Sequence, residues 1–302
     1  MRAALVYNPG AGRGSAREGA VTRMIQALGA RGVTATALAT AGPGDASHLA
    51  RAAALEGVEV VVACGGDGTV NEVLQGVVGT SACLGVWPAG TANLLALELG
   101  VPRRLDDIAD VLAAGDVRRV SVGRAGTRYF IVMAGIGLDA AVVRRVSPAV
   151  KRLLGEGAYW LAALRQLAAW PPPRFLVEAD GRTEPATLAV VANAAAYGGG
   201  LRFTPRARMD DALLDVCLLD STDRLRLVRC VVAAFRGAHL GLPGVTSLQA
   251  RSVRAHGARE AEVQVDGELA GRLPMNFECI PAAVSVLAPR CSTAPRGFAA
   301  RR

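Results

Sequence analysis

The residues Gly65-Gly66-Asp67-Gly68-Thr69 have the composition of a turn that holds a phosphate group. Glycine lets the backbone approach a ligand closely, and a helix that starts at such a turn directs N–H groups at an anion. Asp67 is poorly suited to contact a bare phosphate, but it suits a divalent cation that lies against the phosphates. The stretch therefore predicts a phosphate-binding site with a divalent metal ion. An ordinary strand-to-helix turn is the alternative.

The flanking sequence supplies the strand and the helix that such a turn requires. Residues 58–63 form an apolar run rich in β-branched side chains, which predicts a buried strand. Thr69 and Glu72 have the spacing of a helix capping box, so we expect the helix to start at this point. Strand, turn and capped helix together aim a positive helix end at the ligand.

Two further glycine turns follow predicted strands. Residues 8–15 come after the apolar run 3–7, and residues 88–93 come after the apolar run 83–87. The first half of the chain thus contains four strand–turn–helix units, which predict a parallel sheet with right-handed crossovers. Ligands bind such sheets at the carboxyl ends of the strands. Because all three glycine turns fall at such ends, we expect them to converge on one ligand site.

The pattern changes beyond about residue 120. Short strand-like runs separated by Gly, Pro and Asp turns predict a mainly antiparallel β domain. Two helical segments interrupt it, at residues 150–170 and 225–240. The apolar side chains of the Lys151–Trp170 helix face either the core or a membrane, and both interpretations stay open.

Composition limits the cellular setting and the partners. Lys and Arg exceed Asp and Glu by 34 to 26, giving a net charge of +8 that suits phosphate ligands, nucleic acid or an anionic bilayer. The six cysteines show no CxxC spacing, which indicates reduced thiols. We find no signal peptide and no apolar run near the roughly 18 residues of a membrane span. These features predict a cytoplasmic protein that touches a membrane without crossing it.

The unbroken GGDGTxNE string at residues 65–72 resembles the phosphate-binding motif of the diacylglycerol kinase catalytic-domain family, which includes sphingoid-base kinases and bacterial lipid kinases. The P-x-G-T-x-N string at 88–93 and the VDGE string at 265–268 resemble two further family motifs. The resemblance implies an α/β N-terminal domain with a parallel sheet, as in NAD kinases and diacylglycerol kinases, and a C-terminal antiparallel β-sandwich. We therefore expect a nucleotide-binding domain at 1–122, a lipid-substrate domain at 123–289 and a disordered basic tail at 290–302. The active site would lie in the interdomain cleft.

The same resemblance implies ATP and Mg²⁺ as cofactors and assigns roles by position. Glu268 would be the general base that takes a proton from the lipid hydroxyl, and Asp67 would help to position Mg²⁺. A structural Mg²⁺ is implied at Asp211, with main-chain oxygens of Arg208 and Leu213. The implied nucleotide-binding residues are Asn8, Pro9, Gly10, Ala11, Gly12, Thr40, Gly65, Gly66, Asp67, Gly68, Thr69, Val70, Asn71, Glu72, Gly90 and Thr91.

Several of these residues have simpler interpretations, and some positions depart from the family pattern. The Asp-Gly pair of VDGE also fits an ordinary type I′ hairpin turn, and the Asp210-Asp211 pair also fits a solvated turn. Ser121 stands where many relatives have Asp, and Ala212 stands where they have Gly. If the turn at Ala212 requires a positive φ, alanine costs about 1 kcal/mol there.

The function expected from this resemblance is an ATP-dependent lipid kinase that transfers the γ-phosphate to a lipid hydroxyl. Diacylglycerol, a sphingoid base and related lipids are all candidate substrates, met at an anionic membrane surface through peripheral association. A soluble small-molecule kinase of the NAD kinase type is one alternative. A catalytically silent nucleotide- or lipid-binding module is another, supported by Ser121 and Ala212. No nucleic-acid partner is expected, because charge alone would support it, and a homodimer is left open.

Overall fold

The computed structural model describes residues 1–10, 18–146, 157–168 and 172–290. Its first part alternates strands and helices, as the sequence predicts. The elements are β1 (Arg2–Tyr7), α1 (Glu18–Gly29), β2 (Thr34–Ala39), α2 (Asp45–Leu55), β3 (Val60–Gly65), α3 (Asp67–Val77), β4 (Cys83–Pro88), α4 (Leu94–Leu99) and α5 (Leu105–Ala114).

The strands of this part form a parallel sheet in the order β2-β1-β3-β4. β3 is buried along its whole length, which explains its continuous apolar run. Tyr7 pairs with Cys64, and Gly65 pairs with Pro88, so β1, β3 and β4 end side by side. The expected parallel sheet is therefore confirmed, and the glycine turns follow neighbouring strand ends.

Helices cover both faces of the parallel sheet, so its strands must be apolar on both sides. On one face, Val61 and Ala63 of β3 share a core with residues of α2 and α3 such as Leu74. On the other face, Val60 and Val62 share a core with residues of α1 and α5. This two-sided burial holds the strand ends, and hence the turns that follow them, in fixed positions.

The second part is mainly antiparallel, also as predicted. One sheet has six strands in the order β12-β11-β10-β7-β14-β15. The elements are β5 (Asp116–Ala125), β6 (Arg128–Phe130), β7 (Met133–Gly137), α6 (Leu138–Arg145), α7 (Gly157–Ala168), β8 (Phe175–Ala179), β9 (Arg182–Ala186), β10 (Leu188–Ala192), β11 (Leu214–Leu219), α8 (Arg224–Ala234), β12 (Val245–Ala250), β13 (Ser252–His256), β14 (Glu262–Val265), β15 (Glu268–Arg272) and β16 (Met275–Ala288).

The long strand β16 joins the two parts. It pairs antiparallel with β5 and β13, and near its end Ser285 and Val286 pair in parallel with β4. The parallel sheet thereby continues into the second part as one ten-stranded sheet. Phe130, Phe175 and Phe277 lie fully buried in a core that both sheets line. The expected domain boundary after residue 122 falls inside β5.

Two local predictions need correction. α3 begins at Asp67 with Gly66 as its N-cap, so the capping box predicted at Thr69 and Glu72 is wrong. Helix α8 ends at Ala234, and a short 3₁₀ turn at 239–241 replaces its expected last turns. Gly237, with φ of 65°, lies between the two and interrupts the helix.

Some predictions fall outside the described residues. These are Ala11 and Gly12 of the first glycine turn, the ends of the Lys151–Trp170 helix at 151–156 and 169–170, and residues 291–302 of the expected tail. None of the helices in the described residues combines the length and the apolar character that crossing a membrane requires.

Candidate active site

The turn between β3 and α3 leaves the start of the helix open. Gly66, as N-cap, has no side chain to accept the N–H groups of the first turn. The side chain of Thr69 packs against Gly65, where a Cβ would come within 2.3 Å of Thr69 Oγ1. A helix start of this kind is suited to bind an anion. The phosphate contact expected at this turn stays a prediction, and the geometry of the turn is compatible with it.

The second glycine turn lies directly against the first. A Cβ on Gly90 would come within 2.4 Å of Gly66 Cα. The Asp67 carboxylate accepts the backbone N–H groups of Asn93 at 3.0 Å and Leu94 at 2.6 Å. Asp67 therefore ties the two turns together and stabilises the start of α4, a contact that the sequence did not predict.

Two of the predicted backbone donors are already engaged. The Gly10 N–H donates to Asn8 Oδ1, and the Gly90 N–H donates to Asn93 Oδ1, both at 2.8 Å. Binding of phosphate by these two amides stays a prediction, and it requires these hydrogen bonds to be exchanged for bonds to the ligand. Pro9 and Thr91 are exposed beside them, and Thr40 lies buried just after β2.

The side chain of Asn71 lies between α3 and the second part of the chain. Its side chain has no exposed surface. Its amide nitrogen donates to Tyr129 O at 3.0 Å and to Asp266 Oδ2 at 2.9 Å, and its amide oxygen accepts from Arg128 at 2.8 Å. Asn71 thus joins α3 to the second part of the chain, and its predicted contact with nucleotide stays a prediction. Val70 is buried in the core, whereas Glu72 is half-buried on α3.

The hairpin between β14 and β15 carries Glu268 to the first glycine turn. A Cβ on Gly68 would come within 2.5 Å of Glu268 Oε1, so any side chain at this position would displace this carboxylate oxygen. The other oxygen, Oε2, pairs with the Arg128 guanidinium. Glu268 therefore lies against the residue that follows Asp67 in the chain. Sequence reasoning missed Arg128, because β6 carries no motif to mark it.

Asp266, the residue before the hairpin glycine, is buried. Its carboxylate accepts the backbone N–H groups of Ile131, Val132 and Met133 at 2.9 to 3.0 Å, besides the Asn71 amide. Burial raises the pKa of this carboxyl, and these four donors act in the opposite direction. Asp266 fixes the hairpin to the rest of the site.

A second buried network supports the hairpin from the opposite side. The Gly267 N–H donates to Gln264 Oε1 at 2.8 Å, and Gln264 Nε2 donates to Asp139 Oδ2 at 2.6 Å. The Tyr197 hydroxyl donates to the other Asp139 oxygen. Burial raises the pKa of Asp139, and burial together with this carboxylate raises the pKa of Tyr197. The network connects the hairpin to the loop after β10.

The predicted structural metal site lies before β11. Asp211 Oδ1 accepts the Leu213 N–H at 3.1 Å, and Arg208 pairs with Asp210. Ala212 has φ of 58°, so alanine occupies a position that favours glycine. Within the described part of the chain, no group of three or more His, Cys, Asp or Glu side chains is placed to hold a metal. A site here would depend on Asp211 and main-chain oxygens, and it stays a prediction.

Ser121, where relatives carry Asp, is buried in a backbone junction. Its N–H donates to Met209 O at 2.7 Å, and its carbonyl accepts from Asn193 Nδ2 at 2.9 Å. Asn193 also donates to Ile131 O at 2.8 Å. Through its main chain, Ser121 therefore connects the turn of the predicted metal site, at Met209, to Asn193, which in turn contacts Ile131.

Comparison with known proteins accounts for nearly the whole chain. Residues 2–125 match the diacylglycerol kinase catalytic domain, and residues 131–288 match the YegS C-terminal NAD kinase beta sandwich-like domain. A diacylglycerol kinase of Mycobacterium tuberculosis is 34% identical over 295 residues, which cover 94% of each chain. That of Bacillus subtilis is 30% identical over 296 residues, covering 96% of this chain and 97% of the other.

The fold agrees with this sequence similarity. The crystal structure of a diacylglycerol kinase from Bacillus anthracis superposes with a TM-score of 0.76 at 25% identity, covering 95% of this chain and 96% of that chain. Both parts of the fold are therefore shared. The chain belongs to the diacylglycerol kinase family.

Proposed function

We propose that the cleft between the glycine turns and the β14–β15 hairpin transfers the γ-phosphate of ATP to the hydroxyl of a diacylglycerol-like lipid. Membership of the family makes the protein an ATP-dependent lipid kinase. The observation that carries the residue roles is the contact between Glu268 and Gly68. Asp266 of the VDGE string is buried, whereas Glu268 is not. The contact with Gly68 brings the Glu268 carboxylate beside the open start of α3.

Glu268 acts as the general base in this proposal. Its Oε1 faces the turn, where it accepts the hydroxyl proton as the lipid oxygen attacks phosphorus. Arg128 holds the other oxygen and thereby fixes the orientation of the carboxylate. The hairpin keeps this geometry because Asp266 and Gln264 anchor it from two sides. Positioning and charge neutralisation supply most of the rate in phosphoryl transfer.

Asp67 has two tasks in this proposal. Its carboxylate holds the second glycine turn through the Asn93 and Leu94 N–H groups. It also offers hard oxygen ligands of the type that Mg²⁺ prefers beside a triphosphate. Asp211, with the carbonyls of Arg208 and Leu213, would hold a second, structural Mg²⁺. When bound, Mg²⁺ neutralises phosphate charge.

Diacylglycerol is the proposed acceptor because the relatives in Bacillus subtilis and Mycobacterium tuberculosis are named diacylglycerol kinases. We propose peripheral association with an anionic membrane on its cytoplasmic side, supported by the net charge of +8.

The test is transfer of labelled γ-phosphate to lipids in mixed micelles, with Mg²⁺ varied. Diacylglycerol, a sphingoid base and phosphatidylglycerol serve as lipid acceptors, and NAD serves as the soluble one. We expect transfer to a lipid. Transfer to NAD alone would select the soluble-kinase alternative, and ATP binding without transfer to any acceptor would select the silent module.

Glu268→Gln tests the proposed base. Gln keeps the size of the side chain but takes no proton at neutral pH, so turnover should fall by about 10²- to 10⁴-fold with ATP affinity unchanged in calorimetry. Glu278→Gln is the matched control, because Glu278 also pairs with an arginine, at 2.6 Å, and its side chain is 43% exposed against 42% for Glu268. Normal turnover in Glu268→Gln would remove the proposed base. Lost ATP binding would place Glu268 on the nucleotide.

A further inference from the structure

Helix α8 has two apolar faces, and it buries only one. Leu227, Cys230 and Ala234 point into the core. On the opposite side four apolar side chains are exposed at spacings of three, four and three residues. They are Leu225 (69% exposed), Val228 (42%), Val232 (60%) and Phe235 (44%). A surface helix normally presents polar residues on its outer face, so a contiguous apolar stripe there marks an interaction surface.

Helix α7 extends this stripe. The ring of Trp160 stacks on that of Phe235, with centroids 5.5 Å apart and planes at 21°. Leu164, one turn further along α7, is 65% exposed. We name this surface the docking face, and its residues are Trp160, Leu164, Leu225, Val228, Val232 and Phe235.

The charges around the docking face decide what can cover it. Arg224, Arg226, Arg229 and Arg236 are all exposed along α8 and its end. The one carboxylate at the start of the helix, Asp223, accepts the Leu225 N–H as an N-cap. A second copy of the chain would bring like-charged helices together, which is unfavourable. An anionic bilayer accepts the apolar stripe between acyl chains and the arginines among its headgroups.

The docking face also connects to the cleft through the loop after β10. Gly199 lies against Trp160, since a Cβ there would come within 3.1 Å of its ring. In the same loop, the Ala196 N–H donates to Glu98 Oε2 on α4 at 2.9 Å. Helix α4 begins at the turn that Asp67 holds. A membrane bound at α7 and α8 therefore lies one loop away from the catalytic turns.

We propose that the docking face inserts among the headgroups of an anionic bilayer, with α8 lying in the plane of the interface. The inference rests on the proposed function for the statement that the substrate resides in this bilayer. Binding of the face to lipid is a separate property and is measured without catalysis.

Leu225→Asp and Val232→Asp are the test variants, because each places a charge on the stripe without entering the core. Binding is measured by co-sedimentation with vesicles of phosphatidylcholine, with and without phosphatidylglycerol. We expect each variant to bind anionic vesicles at least tenfold more weakly than the wild type. Leu55→Asp is the matched control, at a 72% exposed leucine on α2, and should bind normally. Transfer to a short-chain diacylglycerol dispersed as monomers should be unchanged in all three variants.

Arg229→Gln tests the electrostatic part. It should weaken binding to anionic vesicles and reduce the loss of binding on adding salt, because one fewer charge is screened. Binding to pure phosphatidylcholine should stay the same.

Two results would overturn the proposal. One is wild-type vesicle binding by both aspartate variants, or an equal loss in Leu55→Asp. The other is a wild-type dimer in sedimentation that Val232→Asp dissociates without affecting vesicle binding, which would make the face a contact between two copies. Glu268→Gln separates the two proposals: it should lose phosphate transfer and keep vesicle binding. If the wild type binds vesicles through this face but transfers no phosphate, the proposed kinase function is refuted and the docking proposal is not.

Discussion

The chain contains two Asp-Gly hairpins with nearly the same backbone and different surroundings. Asp180 and Gly181 connect β8 to β9 with φ angles of 47° and 76°. Asp266 and Gly267 connect β14 to β15 with φ angles of 47° and 87°. Both are two-residue loops with left-handed residues at both positions, as a type I′ turn requires. The sequence Asp-Gly therefore determines the turn in both places.

The side chains separate the two hairpins. Asp180 is exposed, whereas Asp266 is buried and accepts four hydrogen bonds, from the connection between β6 and β7, from β7 and from α3. The residue after the glycine is Arg182 in one hairpin and Glu268, facing Gly68, in the other. The local sequence thus determines the backbone of both hairpins. Contacts with distant parts of the chain make only the β14–β15 hairpin part of the candidate site.

The largest difference between the hairpins should appear when each aspartate becomes asparagine. Asn accepts the left-handed backbone at both positions, but in Asp266→Asn an NH₂ group faces buried N–H donors. We expect the free energy of unfolding to fall by about 2–4 kcal/mol in Asp266→Asn. It should change by less than about 0.5 kcal/mol in Asp180→Asn. Denaturant unfolding of both variants measures this, and equal small changes would show that the buried contacts of Asp266 add little.

A smaller effect should follow from closing the space in front of the buried hairpin. In Gly68→Ala the new Cβ overlaps Glu268 Oε1, which must move away from its position. Displacement by about 1 Å should lower turnover roughly 10- to 100-fold, with little change in stability. Gly19→Ala on α1 is the control, because no atom lies within 4 Å of the added Cβ. Unaltered turnover in Gly68→Ala would show that catalysis does not depend on this position of Glu268 Oε1.

The smallest effect should be common to both hairpins. Gly181→Ala and Gly267→Ala each force a Cβ into the left-handed region, at about 1–2 kcal/mol. Since the backbone angles are similar, the two losses of unfolding free energy should agree within about 1 kcal/mol. Thermal or denaturant unfolding checks this. A much larger loss for Gly267→Ala would mean that the buried surroundings constrain the backbone as well as the side chain.

Sequence reasoning predicted those parts of the molecule that depend on local patterns. The β-branched runs gave the parallel strands, and the glycine strings marked the turns at their ends. The capping box was wrong because Gly66 starts α3 earlier and Asp67 serves α4. The sequence pattern at 69–72 holds no information about that contact.

The rest of the site depends on contacts between distant residues. Asn71 and Asp266 are separated by 195 positions, and Arg128 and Glu268 by 140. No periodicity or spacing encodes such a pair, because it forms only when the hairpin meets α3. Glu268 was predicted only because it stands in a family motif, while Arg128 and Gln264 stand in none.

The pairing of β16 with β4 has a consequence for how the protein is made. The strand that covers the edge of β4 is synthesised much later than β4 itself, since Ser285 pairs with Cys83 and follows it by 202 residues (285 − 83). Until then β4 has an unpaired edge, which in a nascent chain invites pairing with other chains. The nucleotide-binding half can therefore reach its final sheet only after β16 has been synthesised.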